Sequence, residues 1–109
     1  MEKVAEAYLT YLIDNDQYFR MMTHFMLDGS LSKEKIESLN EGERVLLAQF
    51  DRIFEKMNSG KNVRMLSHAY FAAMNGIVIT FRNYPGRSRE EVINHMQALG
   101  KIISAKFKQ

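Results

Sequence analysis

The side chains best suited to acid–base chemistry or metal binding are the three histidines, His24, His68 and His95. None of them forms an HxxxH or ExxH pair, the spacing that presents two ligands on one helix face. Cysteine is absent, which excludes thiolate ligands, disulfides and a cysteine nucleophile. Ser67 adjoins His68, but adjacent helical residues point in different directions and cannot form a nucleophile–base pair. The sequence therefore predicts no catalytic residue, no metal, no cofactor and no enzyme.

The composition is that of one globular domain spanning residues 1–109, with 46% hydrophobic and 26% charged residues. No apolar run reaches the roughly 18 residues of a transmembrane helix, and the start lacks the pattern of a signal peptide. We expect a cytoplasmic protein without a membrane partner. Residues 51–109 hold ten basic and four acidic side chains. Because the basic residues are scattered rather than clustered, we expect no direct nucleic-acid surface.

Apolar residues recur at helical spacing in the first 28 residues, which predicts two helices. The first covers residues 3–13 and the second runs from about Gln17 to Leu27. Between them, Asn15 or Asp16 can cap the second helix, because these side chains accept hydrogen bonds from free backbone amides. Gly29 suits the left-handed conformation that ends many helices.

Two interpretations remain open for the segment that follows. In the first, a short helix from Lys33 to Leu39 is followed by a long helix to about Met57. Asn40 and Glu43 would then form a variant of the capping box at the start of the long helix. In the second interpretation, one helix runs unbroken from Lys33.

Two helices joined by a sharp corner make up the remainder of the chain. Residues from Val63 to Arg82 are apolar or small nearly all round, and a helix with that pattern is buried on every side. Pro85-Gly86 breaks the chain. Ser88 with Glu91 is a capping box, and the last helix runs to about Phe107. The sequence therefore predicts an all-α bundle of five or six helices.

The chain resembles the C-terminal domain of tetracycline-repressor (TetR) family transcription regulators. The resemblance depends on residues 73–77 (AMNGI), 81–87 (FRNYPGR) and 88–91 (SREE), and on residues 14–22 (DNDQYFRMM) earlier in the chain. It implies an Ω-shaped helical homodimer, in which the last two helices of each copy form a four-helix bundle. It also implies a small apolar or amphipathic effector. The family's N-terminal helix-turn-helix has no counterpart before Val4, so DNA contact would require a domain outside this chain.

The predicted dimer interface lies on the last two helices. Small residues there let helix axes approach closely, and an interior glycine such as Gly76 or Gly100 costs about 1 kcal/mol against alanine. The alternative is that these residues pack against helices of the same chain. The candidate interface residues are Ala73, Gly76, Ile77, Thr80, Phe81, Val92, Met96, Leu99 and Ile103.

The predicted effector pocket is rich in methionine and phenylalanine, because methionine is flexible and suits adaptable apolar sites. A few polar groups would orient the ligand. The alternative is that these side chains form an ordinary core, for which apolar periodicity is the usual sign. The candidate ligand-binding residues are Tyr11, Met22, Phe25, Met26, Phe50, Phe54, Met57, His68, Phe71 and Asn75.

Two functions remain open from the sequence. The chain is either an effector-sensing and dimerisation domain of a TetR-type regulator, or a stand-alone helical protein–protein interaction module without a ligand. In the first, ligand binding would shift an equilibrium between dimer arrangements that differ in the spacing of their DNA-binding heads. A cavity within each subunit would favour the sensor, and a solid core would favour the interaction module.

Overall fold

The structure is a computed structural model of the chain, and it describes residues 2–30, 32–58 and 62–108. Its described residues form five α-helices and no strand, which confirms the all-α prediction. None of these helices has the length and apolar character needed to cross a membrane. The helices are α1 (Glu2–Asp14), α2 (Asp16–Asp28), α3 (Lys33–Asn58), α4 (Val63–Phe81) and α5 (Arg89–Phe107).

The long helix α3 runs unbroken through the point where a helix start at Asn40 was one of two interpretations, and that interpretation is wrong. Leu39 is buried before this point, and Leu47, Phe50 and Phe54 are buried after it. The apolar face therefore continues across residues 40–43 at helical spacing. Burial of such a face outweighs a local capping signal and a single interior glycine, because those two effects amount to about 1 kcal/mol each.

Two local signals for helix ends are confirmed, and a third is confirmed in position only. Gly29 has a φ of +68°, and its N–H donates to the Phe25 carbonyl at 2.7 Å. The Ser88 hydroxyl accepts from the Glu91 backbone N–H at 3.1 Å, and the Glu91 carboxylate accepts from the Ser88 N–H at 3.1 Å. Asn15 occupies the N-cap position of α2, although its side chain makes no capping hydrogen bond.

The chain divides into two compact units, one made of residues 15–68 and the other of residues 1–14 with 69–109. In the first unit, Asp51 joins α3 to the start of α4. Its carboxylate accepts the Ser67 hydroxyl proton at 2.5 Å and pairs with the Arg64 guanidinium at 2.6 Å. Ser67 is fully buried. A buried hydroxyl without a hydrogen bond would destabilise the fold, and the bond to Asp51 avoids this cost.

The second unit contains α1, the greater part of α4, and α5. A close contact joins α1 and α5 at Gly100, where a Cβ atom would lie 2.7 Å from Leu9 Cδ1. Beside this contact, the Gln97 side-chain amide donates to the Glu6 carbonyl at 3.3 Å and to the Thr10 hydroxyl at 3.1 Å. The absent side chain at position 100 thus allows α1 to approach α5 closely.

Two buried polar contacts fix the remaining helix pairs of this unit. The Tyr8 hydroxyl donates to Asn75 Oδ1 at 2.8 Å, which joins α1 to α4. The hydroxyls of Tyr70 and Ser104 lie 2.8 Å apart and join α4 to α5. Phe107 packs edge-on against the Tyr70 ring, with 5.3 Å between centroids. Burial raises the pKa of Tyr70, so its hydroxyl stays protonated in the folded chain.

Gly100→Ala should destabilise the chain by up to about 2 kcal/mol, because the overpacking cost of displacing Leu9, about 1–3 kcal/mol, exceeds the gain in helix propensity of about 1 kcal/mol. Gly42→Ala is the matched control, since a Cβ there meets only the Tyr18 hydroxyl at an ordinary 3.5 Å. That control should stabilise the protein by about 0.5–1 kcal/mol through helix propensity alone. Urea unfolding followed by circular dichroism measures both changes. Equal effects at the two positions would contradict the close contact.

Candidate functional site

The outer side of α4 carries an exposed apolar strip. Ala69, Ala72 and Ile79 are exposed there and Gly76 is half-exposed, and the spacing of four and three residues places them on one line. Ile79 retains 47% of its surface. We name these four residues the α4 strip. No Asp, Glu, Lys or Arg occurs on α4 after Arg64, so the strip has no charged border on its own helix.

A second apolar strip lies on α5, which packs beside α4. Ala98, Ile102 and Ala105 are exposed at the same helical spacing, and Ile102 retains 56% of its surface. These three residues form the α5 strip. Leu99 and Ile103 are half-buried beside it. Isolated exposed apolar residues are normal on a protein surface, whereas lines of them on neighbouring helices are typical of interaction surfaces.

The residues predicted for a dimer interface divide between the core and the surface. Val92 and Met96 are 7% and 2% exposed, so they contribute to the core of the chain and have little surface left for a partner. Ile77 is likewise buried. Ala73, Gly76, Phe81, Leu99 and Ile103 are half-buried, and Thr80 is exposed. The α4 strip shares Gly76 with the predicted residues, and the half-buried Leu99 and Ile103 lie beside the α5 strip.

The two interior glycines that the sequence linked to a dimer have different surroundings. Gly100 is explained within the chain, because Leu9 and Ala5 of α1 occupy the space next to it. A Cβ at Gly76 would meet nothing within 4 Å. Packing within the described chain therefore gives no reason for glycine at position 76, where alanine would form a more stable helix.

The ligand-binding candidates in the first unit differ widely in exposure. Met22, Phe50 and Phe54 are at most 1% exposed and form its core. Phe25 and Met57 are half-buried. Met26 and His68 are exposed. Because Met22, Phe50 and Phe54 are fully buried, they have no exposed surface that a ligand could contact in this structure.

The three candidates in the second unit do not share one environment. Asn75 is buried and accepts the Tyr8 hydroxyl proton, while Phe71 is half-buried with its ring 6.1 Å from the Tyr8 ring. Tyr11 lies on α1 with 46% of its surface exposed. Tyr8 thus connects two of the three predicted residues, and it provides the polar contact inside an apolar helix unit.

The histidines lie in separate environments. His24 Nδ1 is 3.1 Å from the Asp28 carboxylate on the surface of α2. Among residues 2–30, 32–58 and 62–108, no three His, Asp or Glu side chains are grouped closely enough to hold a metal ion.

On α3, burial raises the pKa of Glu43, and the nearby His68 partly offsets this by favouring the carboxylate.

A ring cluster that the sequence alone did not predict lies at the corner between α4 and α5. His95 meets Phe81 and Tyr84 edge-to-face, with centroid distances of 5.0 and 5.5 Å. Phe81 and Tyr84 are 5.8 Å apart, and the Arg87 guanidinium lies 4.9 Å above the Tyr84 ring. His95 Nε2 is buried and has no hydrogen-bond partner among the described residues. Phe81 and Tyr84, the two aromatic residues just before Pro85, were the sequence signal for this cluster.

No family model, curated protein or solved structure matches this chain.

Glu43→Gln should raise the free energy of unfolding at pH 7. The raised pKa means that the folded state binds this proton more tightly than the unfolded chain, whose glutamate has an ordinary pKa of 4.5. The contribution of the protonated Glu43 side chain to the free energy of unfolding is therefore complete below pH 4.5, and it is lost as the pH rises through the folded-state pKa. The gain from Glu43→Gln should shrink as the pH falls toward 4.5.

Urea unfolding at several pH values measures this dependence. Glu41→Gln is the matched control, because Glu41 is an exposed glutamate of the same helix whose ion pair with Arg44 is solvent-screened. That substitution should change stability little at any of these pH values. A loss of stability in Glu43→Gln at pH 7 would contradict the burial of the carboxylate.

Proposed function

We propose that this chain is the effector-binding and homodimerisation domain of a TetR-type transcription regulator. The observation that supports the proposal is the pair of exposed apolar strips on α4 and α5, the two helices that dimerise in the family this chain resembles. Their length and their place in the chain agree with that resemblance. DNA would be bound by a helix-turn-helix domain outside this chain, in the cytoplasm.

A second copy of the chain is the partner that best fits the α4 strip. A two-fold contact pairs the same strip on both copies, and residues near the axis meet their own counterparts, so a strip charged with one sign would place like charges close together. The strip avoids this repulsion, because α4 has no Asp, Glu, Lys or Arg after Arg64. Its alanines and Gly76 also allow two helix axes to approach closely, which increases the packing contacts between them.

In this proposal the effector acts by differential binding. Two dimer arrangements differ in how the DNA-binding heads are spaced, and a ligand that binds one arrangement better shifts the population toward it. Half-sites on DNA lie about one helical turn apart, so a small rotation of one subunit about the strips would prevent the two heads from binding both half-sites. The ligand is a small apolar or amphipathic molecule, in keeping with the Met- and Phe-rich side chains.

One observation favours the alternative, a helical protein–protein interaction module without a ligand. Met22, Phe50 and Phe54, three of the predicted ligand residues, are fully buried as core residues. In the alternative the strips still bind a second helix pair, but no effector regulates the contact. The two functions agree in self-association and differ in ligand response, so one experiment tests the shared contact and a ligand screen separates the two.

Ala72→Glu should convert the homodimer into a monomer. Two copies of the new carboxylate would meet near the two-fold axis at a cost of about 3 kcal/mol, which is roughly a hundredfold in Kd. Ala7→Glu on α1 is the matched control, since both positions are exposed helical alanines. Sedimentation velocity over a concentration series should give twice 12.7 kDa for the wild type and for the control. A wild type that remains at 12.7 kDa at high concentration would disprove the homodimer.

An effector should raise the thermal unfolding temperature of the chain. A ligand at a hundred times its Kd adds about 2.7 kcal/mol to stability, which corresponds to a shift of several degrees. A thermal-shift screen with medium-chain fatty acids, planar aromatic compounds and sterols covers the apolar and amphipathic classes. Phe71→Ala should abolish a shift that Leu27→Ala, at an exposed apolar position, retains. A chain that dimerises and responds to none of these compounds would favour the interaction module.

A further inference from the structure

We propose that the two copies of the homodimer pair α5 with α5, antiparallel and centred on Ala98, so that acidic residues of one copy face lysines of the other. This pairing rests on the homodimer of the proposed function, and it specifies which helices meet and in which register. The apolar strips alone leave both open, because either strip fits either helix of a second copy.

Ala98 is the middle residue of α5, which runs from Arg89 to Phe107. Its side chain is exposed, and Ile102 and Ala105 are exposed one and two turns later. An alanine at the crossing point lets two helix axes approach closely, which increases the packing contacts between them. Two antiparallel copies of α5 that meet at Ala98 therefore overlap along their whole length and cover Ile102.

On the open side of α5, the charge changes sign at Ala98. Glu90 and Glu91 precede this residue, and no acidic residue follows it. The residues that follow are basic: Lys101, Lys106 and Lys108. Arg89 lies three turns before Gly100 and is therefore on the side that faces α1. An antiparallel pair thus places acids opposite lysines, whereas a parallel pair would place lysines opposite lysines.

Glu90 and Lys108 share one side of the helix. They are eighteen residues apart, which is five full helical turns. Gln97, seven residues after Glu90, contacts α1 and so marks this side. A two-fold axis across an antiparallel helix pair keeps each side of one helix next to the same side of the other. Glu90 of one copy therefore meets the partner's Lys108.

Glu91 and Lys106 share the other side, which is nearer to α4. His95 marks this side by its contact with Phe81, and Lys106 lies three turns after His95. The Glu91 carboxylate accepts the Ser88 N–H through one of its oxygens, Oε1. The helix cap and an ion pair with the partner's Lys106 are therefore compatible.

The same axis gives a reason for glycine at position 76. Two contacts set the level of α4 against α5, and these are Phe81 with His95 and Tyr70 with Ser104. Because the two helices run antiparallel, Gly76 lies level with Ala98. An axis that crosses both helices at Ala98 therefore passes Gly76, where two copies of α4 approach each other without a side chain between them. Packing within the described chain leaves this space empty.

The charges of α5 find no counter-charge elsewhere on this surface. Among residues 2–30, 32–58 and 62–108, neither Glu90 nor any of the three lysines forms an ion pair within the chain. A pairing of α5 with α4 of the second copy would leave them unmatched, because α4 has no charged residue after Arg64. The pairing of α5 with α5 matches them at the rim, where complementary charges select the partner and its register.

Single cysteines test the register, because the chain has no cysteine of its own. In Ala98→Cys the two thiols lie at the axis, within the roughly 7 Å between Cα atoms that a disulfide spans. Oxidation with copper phenanthroline should convert most of this variant to a covalent dimer on a non-reducing gel. Ala105→Cys is the matched control, an exposed alanine of the same strip. Its two thiols would lie about 21 Å apart along the axis and should stay unlinked.

Charge reversal tests the ion pairs. Lys108→Glu should raise the Kd of the homodimer about tenfold at low salt, because two symmetry-related attractions become repulsions. The double variant Glu90→Lys, Lys108→Glu keeps the wild-type net charge and should return Kd to within about twofold of the wild type. Lys3→Glu, at an exposed lysine of α1, is the control for net charge and should leave Kd nearly unchanged. Sedimentation velocity over a concentration series measures each Kd.

The outcomes separate this pairing from the homodimer itself. A wild type that stays monomeric overturns the homodimer, and the pairing of α5 with α5 falls with it. A wild type that dimerises while Ala98→Cys does not cross-link, or while Ala105→Cys cross-links equally well, overturns the pairing and leaves the homodimer standing. A double variant as weak as Lys108→Glu alone would likewise overturn it.

Discussion

The second unit, made of α1, most of α4, and α5, depends on one constraint. No charged side chain occurs on α4 between Arg64 and Arg82. An ordinary surface helix turns a charged face to water, and α4 has none. Its inner side is covered by the chain, with Tyr70, Met74 and Val78 at most 1% exposed. Its outer side retains the exposed α4 strip. The described helices leave this side uncovered, and in the proposed function a second molecule covers it.

The buried polar pairs determine how the helices of this unit are aligned. The Tyr8–Asn75 and Tyr70–Ser104 contacts each contribute only about 1 kcal/mol net, but an unpaired buried partner would cost about 1–3 kcal/mol. Sliding any of the three helices by one turn would break at least one pair. Apolar contacts alone tolerate such sliding, because the hydrophobic effect is not directional. The polar pairs therefore select one alignment, and that alignment brings Gly100 of α5 against α1.

The sequence allowed local features to be predicted well, and long-range ones poorly. Gly29, the Ser88 capping box and the corner at Pro85 depend on residues within one turn, so their geometry follows from the residue types themselves. Gly76 and Gly100 look alike in the sequence, since each interrupts a helix among small or apolar neighbours. The difference between them is Leu9, a residue about 90 positions from Gly100 whose proximity only the fold establishes.

Periodicity had the same limit for the candidate site. Spacing shows which side chains share a helix face, but does not show whether that face meets the same chain or another. Val92 and Met96 share a face that the chain itself covers, while Ile102 lies on a face that it leaves open. For the effector residues, periodicity identified the apolar side chains of both units and had no means of separating a core from a pocket. Periodicity also could not predict the Tyr8–Asn75 contact, because the two residues lie in helices far apart in the chain.

The corner connects the two open strips physically. Ile79, the last residue of the α4 strip, lies two positions before Phe81, and the α5 strip begins at Ala98, three positions after His95. The ring contact between Phe81 and His95 therefore lies where the two strips approach each other along the chain. Helix axes are stiff over such short distances, so the packing of these rings contributes to the direction of α5 relative to α4. A surface built from one strip on each helix is sensitive to that direction, whereas a surface on a single helix would not be.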